Sequence, residues 1–331
     1  MSFPQTGIAS TFDPVLPAEY ATLRDAVGIR LLDDRMVIRV VGDDRVSFFH
    51  GMCSADVKGA HPGDIQPALL LTEHAHVIGE LFIWVEDKAL LLETDAAGWS
   101  RAKAHLERLL VADDVEFEEL PSWSILHVEG PRAADALASV EISGAHALKT
   151  WQCSKSVNGL RGHLARFGSD AFSMLGAREV LEKLADRLTA NGAVAVSDAA
   201  LDVIRVENGI AKVGVDTTDK TIALEARLQR AISFSKGCYL GQETIERATA
   251  RGGLKKKLYG LRFARPVVSG SELFLDGKEV GRVSSTVVSP RLGAVGLAIL
   301  HHSAWTPGAT LTVGGESGAV EAKVSELPFD K

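Results

Sequence analysis

The spacing of apolar residues changes once along this 331-residue chain, and that change limits the folds open to it. Up to about residue 250, runs that alternate apolar and polar residues are interleaved with runs that repeat every 3.6 residues. Beyond Leu254 only short alternating runs remain. A period of two puts successive side chains on opposite faces of a strand, and a period of 3.6 gathers them on one face of a helix. The expectation is an α+β protein that ends in an all-β module.

The local pattern supports this. MVIRVVG, Met36 to Gly42, alternates, and Asp43 or Asp44 then offers an N-cap to a short helix carrying Val46, Phe49 and His50. After His61-Pro62-Gly63, the runs PALLLT, HVIGELFIWV and ALLLETD read as a meander, the last two joined by Glu86-Asp87-Lys88. AAGWSRAKAHLERLLV places Trp99, Ala102, Leu106, Leu109 and Leu110 on one helical face, and VEFEEL is another strand. From Trp123 to Val140 the strand, glycine, helix order recurs as if a second module began there. REVLEKLADRLTANG is a helix closed by Gly192, and ALDVIRVENG a second ending near Gly209. In the last part Asp276-Gly277 is a hairpin signal between alternating runs, and several short strands at this spacing imply a small barrel or sandwich.

With 46% apolar residues, two or three cores are within reach. A net charge of -7 gives no bulk attraction to nucleic acid or an anionic membrane. No run reaches the ~18 apolar residues of a membrane span, and MSFPQTGIASTFDPVLPAEY lacks the apolar core of a signal peptide. A cytoplasmic monomer is expected, with no membrane or nucleic-acid partner.

Cys53, Cys153 and Cys238 are odd in number and far apart, which fits neither a disulfide framework nor a paired metal spacing. His74 and His76 project to one face of a strand but lack a third ligand, and His301-His302 is a loop dipeptide; no metal ligand is assigned. The dense basic stretch Arg247, Arg251, Lys255, Lys256 and Lys257 reads either as a solvated helix end or as a receiver for an anionic tail or acidic partner.

KGCYLGQE, Lys236 to Glu243, sets Cys238 between glycines, behind Lys236 and ahead of a helix start. Local chemistry leaves two readings: a small buried cysteine in a tight loop, or a thiol whose anion is favoured by the lysine and the helix N-terminus. This stretch resembles the signature of YgfZ-type folate-binding proteins, a branch of the superfamily that includes the aminomethyltransferase (T-protein) of glycine cleavage. Three further segments are similar to that family in the same order: IRVVGDDRVSFFHGMCSADV, with Cys53 where threonine is usual, LDVIRVENGIAKVGVD, and GKEVGRVSSTVVSPRLGAVGLAIL.

The resemblance implies a three-domain cloverleaf around a central folate channel, with ferredoxin-like α+β modules and a small C-terminal β-barrel. It implies a folate-binding core at 1–45 and 123–250, a ferredoxin-like domain at 46–122 and the barrel at 251–331. It implies tetrahydrofolate as cofactor, Glu207 as the carboxylate on the pteridine, and Glu80, Thr94, Lys255 and Lys256 as further cofactor-binding candidates. Cys238 and Lys236 are the catalytic candidates. Where the aminomethyltransferases carry a pair of aspartates this chain has Gly79 and Glu80, which speaks against ordinary glycine cleavage chemistry. The implied role is a tetrahydrofolate-binding accessory factor for iron–sulfur protein assembly or repair, with client or assembly proteins as partners. The alternatives are an aminomethyltransferase or demethylase, in which Glu80 replaces the aspartate, and a scaffold without folate.

Overall fold

The computed structural model describes residues 17–156, 159–168, 171–250, 253–314 and 319–329. The first sixteen residues and Arg251, both weighed above, lie outside the described residues. The described chain divides into two compact units, one within Ala21–Ser197 and Arg230–Gln242, the other within 17–20, Asp198–Gln229 and 243–329.

The first of these units takes in α1 (Pro17–Asp25) from Ala21 onward, then β1 (Gly28–Leu31), β2 (Arg35–Val41), α2 (Arg45–Met52), β3 (Ile65–Leu71), β4 (Val77–Val85), β5 (Leu90–Asp95), α3 (Ala96–Leu109) and β6 (Glu116–Glu119). It continues with β7 (Trp123–Glu129), α4 (Ala133–Ser139), β8 (Gln152–Ser156), β9 (Gly159–His163), β10 (Ala171–Ala177), α5 (Arg178–Ala190) and β11 (Val194–Ala195). The meander read from sequence forms as β3, β4 and β5 within an antiparallel sheet of order β3-β4-β5-β2-β6. One face of that sheet, through Ile38, Leu70, Leu81, Ile83 and Leu92, buries its apolar side chains against Phe49 of α2 and Trp99, Ala102 and Leu106 of α3. This is the one-sided helix layer that the alternation of strands and helices implied.

A second sheet of the same unit has the order β11-β1-β7-β10-β9-β8 and carries α4 and α5 on its apolar face. Strands β8 and β9 are not apparent from the sequence pattern, because QCSKS and GLRGH mix polar residues and glycine without regular alternation. The two sheets meet where Ile65 N donates to Trp151 O at 2.7 Å and Cys153 N to Gly63 O at 2.7 Å. Gly162 makes the approach possible, since a Cβ there would lie 2.6 Å from the Trp84 ring. Phe82 stacks on Trp151 in the same layer, with ring centroids 6.0 Å apart.

The other unit contains α6 (Asp198–Glu207), most of α7 (Gln242–Ala250) and a closed barrel. The barrel strands are β12 (Lys256–Phe263), β13 (Glu272–Leu275), β14 (Lys278–Ser289), β15 (Gly293–His301), β16 (Thr310–Val313) and β17 (Val320–Ser325). They pair in the order β12-β15-β14-β13-β16-β17, and β17 returns to β12. Asp276 and Gly277 both take positive φ, 50° and 75°, as a two-residue hairpin turn requires. The α+β class with a C-terminal β-barrel is thus the observed one. No described helix is long and apolar enough to cross a membrane.

Candidate functional site

Helix α6 is buried around much of its circumference, through Leu201, Val203, Ile204 and Val206, and ends in a Schellman turn. Ile210 N reaches Arg205 O at 3.0 Å, Gly209 N reaches Val206 O at 2.9 Å, and Gly209 takes φ 68°. This ending leaves Glu207 as the last helical residue, with its side chain turned inward and only 2% exposed. Tyr20 Oη donates to both carboxylate oxygens at 3.0 and 3.1 Å, Ser289 Oγ donates to Oε1, and Arg291 Nη2 stands 3.5 Å from Oε2. Phe329 N donates to the Glu207 carbonyl at 3.1 Å. A buried carboxylate held by two hydroxyls and one half-exposed guanidinium is an acceptor site. In the same unit Lys255 and Lys256 are exposed at the start of β12, and Lys257 is half-buried.

The remaining candidates belong to the other unit. Glu80 projects from β4 and pairs with Arg230 Nη2 at 3.0 Å. Thr94 of β5 is buried and donates its hydroxyl to the Glu80 carbonyl at 2.9 Å, so it fixes the strand under Glu80. Gly79, beside it, faces open space where a Cβ would stand.

The KGCYLGQE loop is clamped onto the chain around the end of α2. Lys236 is 8% exposed, and its ammonium donates to the carbonyls of His50, of Cys53 at 2.8 Å and of Ala55 at 2.8 Å. These carbonyls lie in and just after the last turn of α2, where helix carbonyls run out of intrahelical donors, and all three donors of the lysine are engaged there. Burial pulls this ammonium below the ordinary lysine range. Ser54 Oγ donates to Ala231 O, Ser233 N to Ser54 O at 2.8 Å and Leu240 N to Gly51 O at 3.2 Å. Gly241 takes φ 88°, and a Cβ on it would sit 2.7 Å from Thr72 O. Gly237 has neither constraint. The loop is therefore fixed at both ends, and Cys238 lies exposed between them. Cys53 and Cys153 are buried, and burial pushes their thiols up to about 11 and about 12.

Sequence reasoning missed a charged cluster between the two sheets of this unit. Glu93 of β5 is fully buried, with Arg35 Nε at 3.1 Å, Arg166 Nη2 at 2.5 Å and Trp84 Nε1 at 3.3 Å. Burial alone would raise its carboxyl; the guanidiniums of Arg166 and Arg35 outweigh that and hold it below the usual range. In the sequence these are scattered single charges with no shared motif.

The family model for the GCVT N-terminal domain matches residues 1–236, and that for the glycine cleavage T-protein C-terminal barrel domain matches residues 256–331. The chain belongs to the glycine cleavage T-protein family. A chloroplastic protein of Arabidopsis thaliana named as a transferase is 28% identical over 302 residues, 88% of this chain and 68% of that one. The aminomethyltransferase of Nostoc sp. is 27% identical over 94% of this chain and 86% of its own length, and that of Bacillus subtilis 24% identical over 95% and 90%. The glycine cleavage system aminomethyltransferase T of Bartonella henselae shares the T-protein fold, with a TM-score of 0.87 over 94% of this chain and 88% of its own, at 22% identity.

Proposed function

We propose that this T-protein family member is a tetrahydrofolate-binding accessory protein for iron–sulfur protein assembly or repair, a cytoplasmic monomer that presents Cys238 to its client. The observation that carries this reading is the clamped loop: of three cysteines, the exposed one stands on a segment tied down by Lys236, Ser233 and Leu240. A thiol held in place but open to solvent suits contact with a partner protein, whereas a packing cysteine would be covered.

Supporting the folate part is the Glu207 niche. A carboxylate accepts from the adjacent N–H donors of a flat pterin ring, and the half-exposed Arg291 stands 3.5 Å from it. Tetrahydrofolate supplies amines that carry one-carbon units. Glu207 would hold the ring, and Lys255 and Lys256 would meet an anionic tail. Glu80 is engaged by Arg230, and Gly79 bears no carboxylate, which weakens the case for a positioned catalytic acid.

A second reading, aminomethyl transfer with Glu80 in the aspartate's place, is favoured by the names of the Nostoc and Bacillus subtilis relatives. Titrating tetrahydrofolate while following the fluorescence of the five tryptophans tests the part common to both. Absence of saturation at millimolar ligand would overturn both. If folate binds, incubation with an aminomethyl donor separates them, because only the second reading forms methylene-tetrahydrofolate.

A further inference from the structure

The layer between the two sheets of the first-described unit holds more buried donors than acceptors. Arg166 is 4% exposed; its Nη2 serves Glu93 and, at 3.3 Å, Ser173 Oγ, while its Nε and Nη1 have no partner among the described residues. Arg230 reaches Arg166 O with Nη1 at 3.5 Å and Glu80 with Nη2, and its buried Nε also has none among the described residues. Guanidinium nitrogens only donate, so these three atoms, on two neighbouring cations, face a missing acceptor. Three guanidiniums, Arg35, Arg166 and Arg230, stand against two carboxylates, Glu80 and Glu93. Glu129, on β7, is turned to His127 Nε2 at 2.7 Å.

We propose that this layer binds a small carboxylate anion whose oxygens accept from Arg166 and Arg230. A carboxylate suits guanidinium donors in both charge and planarity. Close packing favours a small occupant, since Arg166 lies 4.7 Å over the Phe82 ring, Phe82 stacks on Trp151, and Gly162 brings the sheets together. The site attracts an anion where Glu207 attracts N–H donors, and nothing in it depends on folate.

The test uses the full chain and sodium formate and sodium acetate, with sodium chloride at equal ionic strength as reference. Calorimetric titration is expected to show saturable binding of one anion per chain, and thermal unfolding to shift upward with formate but not with chloride. Arg166→Gln is expected to weaken formate binding at least tenfold, and Arg230→Gln severalfold. The exposed Arg282→Gln is expected to leave it unchanged. If Arg166→Gln does not fold, Arg230→Gln and the parent decide the matter. A parent that responds to formate as it does to chloride means that water satisfies these donors, and the proposal fails. Unchanged affinity in Arg230→Gln overturns it as well.

Discussion

Glu207 is the side chain whose surroundings say most about its use. Its carboxylate is buried at a helix end, and Tyr20, Ser289 and Arg291 are among the groups that meet its oxygens. Glu207→Gln keeps the size, and one of its oxygens still accepts from Tyr20 and Ser289. It removes the second acceptor oxygen. Tetrahydrofolate affinity is expected to fall by about 1–3 kcal/mol, with the fold intact by circular dichroism; an unchanged dissociation constant would refute the assignment. Cys238→Ser is the companion test for the thiol. Because the loop is fixed by Lys236, Ser233 and Leu240 and not by the sulfur, folding and folate binding are expected to survive, and rescue of iron–sulfur enzyme activity in a deletion strain to be lost. Full rescue by the serine variant would leave the cysteine without a chemical role. Lys236 itself shows how a sequence neighbour misleads. It stands two residues from Cys238, but its ammonium is held by carbonyls more than 180 positions away in the chain.

At the level of elements, the loop before α7 depends on one backbone conformation. Alanine at Gly241 would meet both the strain of φ 88° and the Thr72 carbonyl. Gly241→Ala is expected to lower stability by about 1–3 kcal/mol in urea unfolding. Gly237→Ala, with open space around it, should stay within about 0.5 kcal/mol. Equal effects at the two glycines would mean that the clamp does not hold in solution. The same contrast marks how far sequence pattern reaches. Asp276-Gly277, Gly192 and Gly209 were legible because local turn chemistry fixes them. Gly192 N bonds Thr189 O and Ala193 N bonds Leu188 O, as a helix closed by that glycine requires. Strands β8 and β9 were not legible, because their polar residues find partners only once the strands pair, as Ser154 does with Arg161, which also reaches Ser143 O. Glu93 and Arg35 are 58 positions apart, Glu80 and Arg230 are 150 apart, and only strand pairing and loop docking make them neighbours.

For the molecule as a whole, the buried thiols set an alkaline limit. Burial raises Cys53 to about 11; burial, then Glu86 and Asp64, raises Cys153 to about 12. The unfolded chain loses these protons near 9, the folded one only at the raised values, so above pH 9 the unfolded state binds fewer protons and stability falls as pH rises. Each thiol contributes a loss on the order of 2–4 kcal/mol by pH 12. In chemical denaturation across pH 8 to 11, the parent is expected to lose stability while a Cys53→Ala, Cys153→Ala variant shows a flatter curve. Parallel curves would mean that other groups govern the alkaline limb.

The hydrogen bond from Phe329 to the Glu207 carbonyl has a practical meaning for anyone handling the protein. Leu327 fills the space above Gly209, and the Phe329 ring fills that above Gly260, so these two residues wedge the last turn of α6 against the barrel. Removing residues 327–331 is expected to leave a folded barrel but to weaken folate binding through a loosened Glu207, measurable by the same fluorescence titration. A truncated chain that bound as tightly as the parent would show the wedge to be dispensable. If binding does weaken, cleavage before Leu327, or a bulky tag fused close to Phe329, would imitate a substitution at Glu207 without altering Glu207 itself.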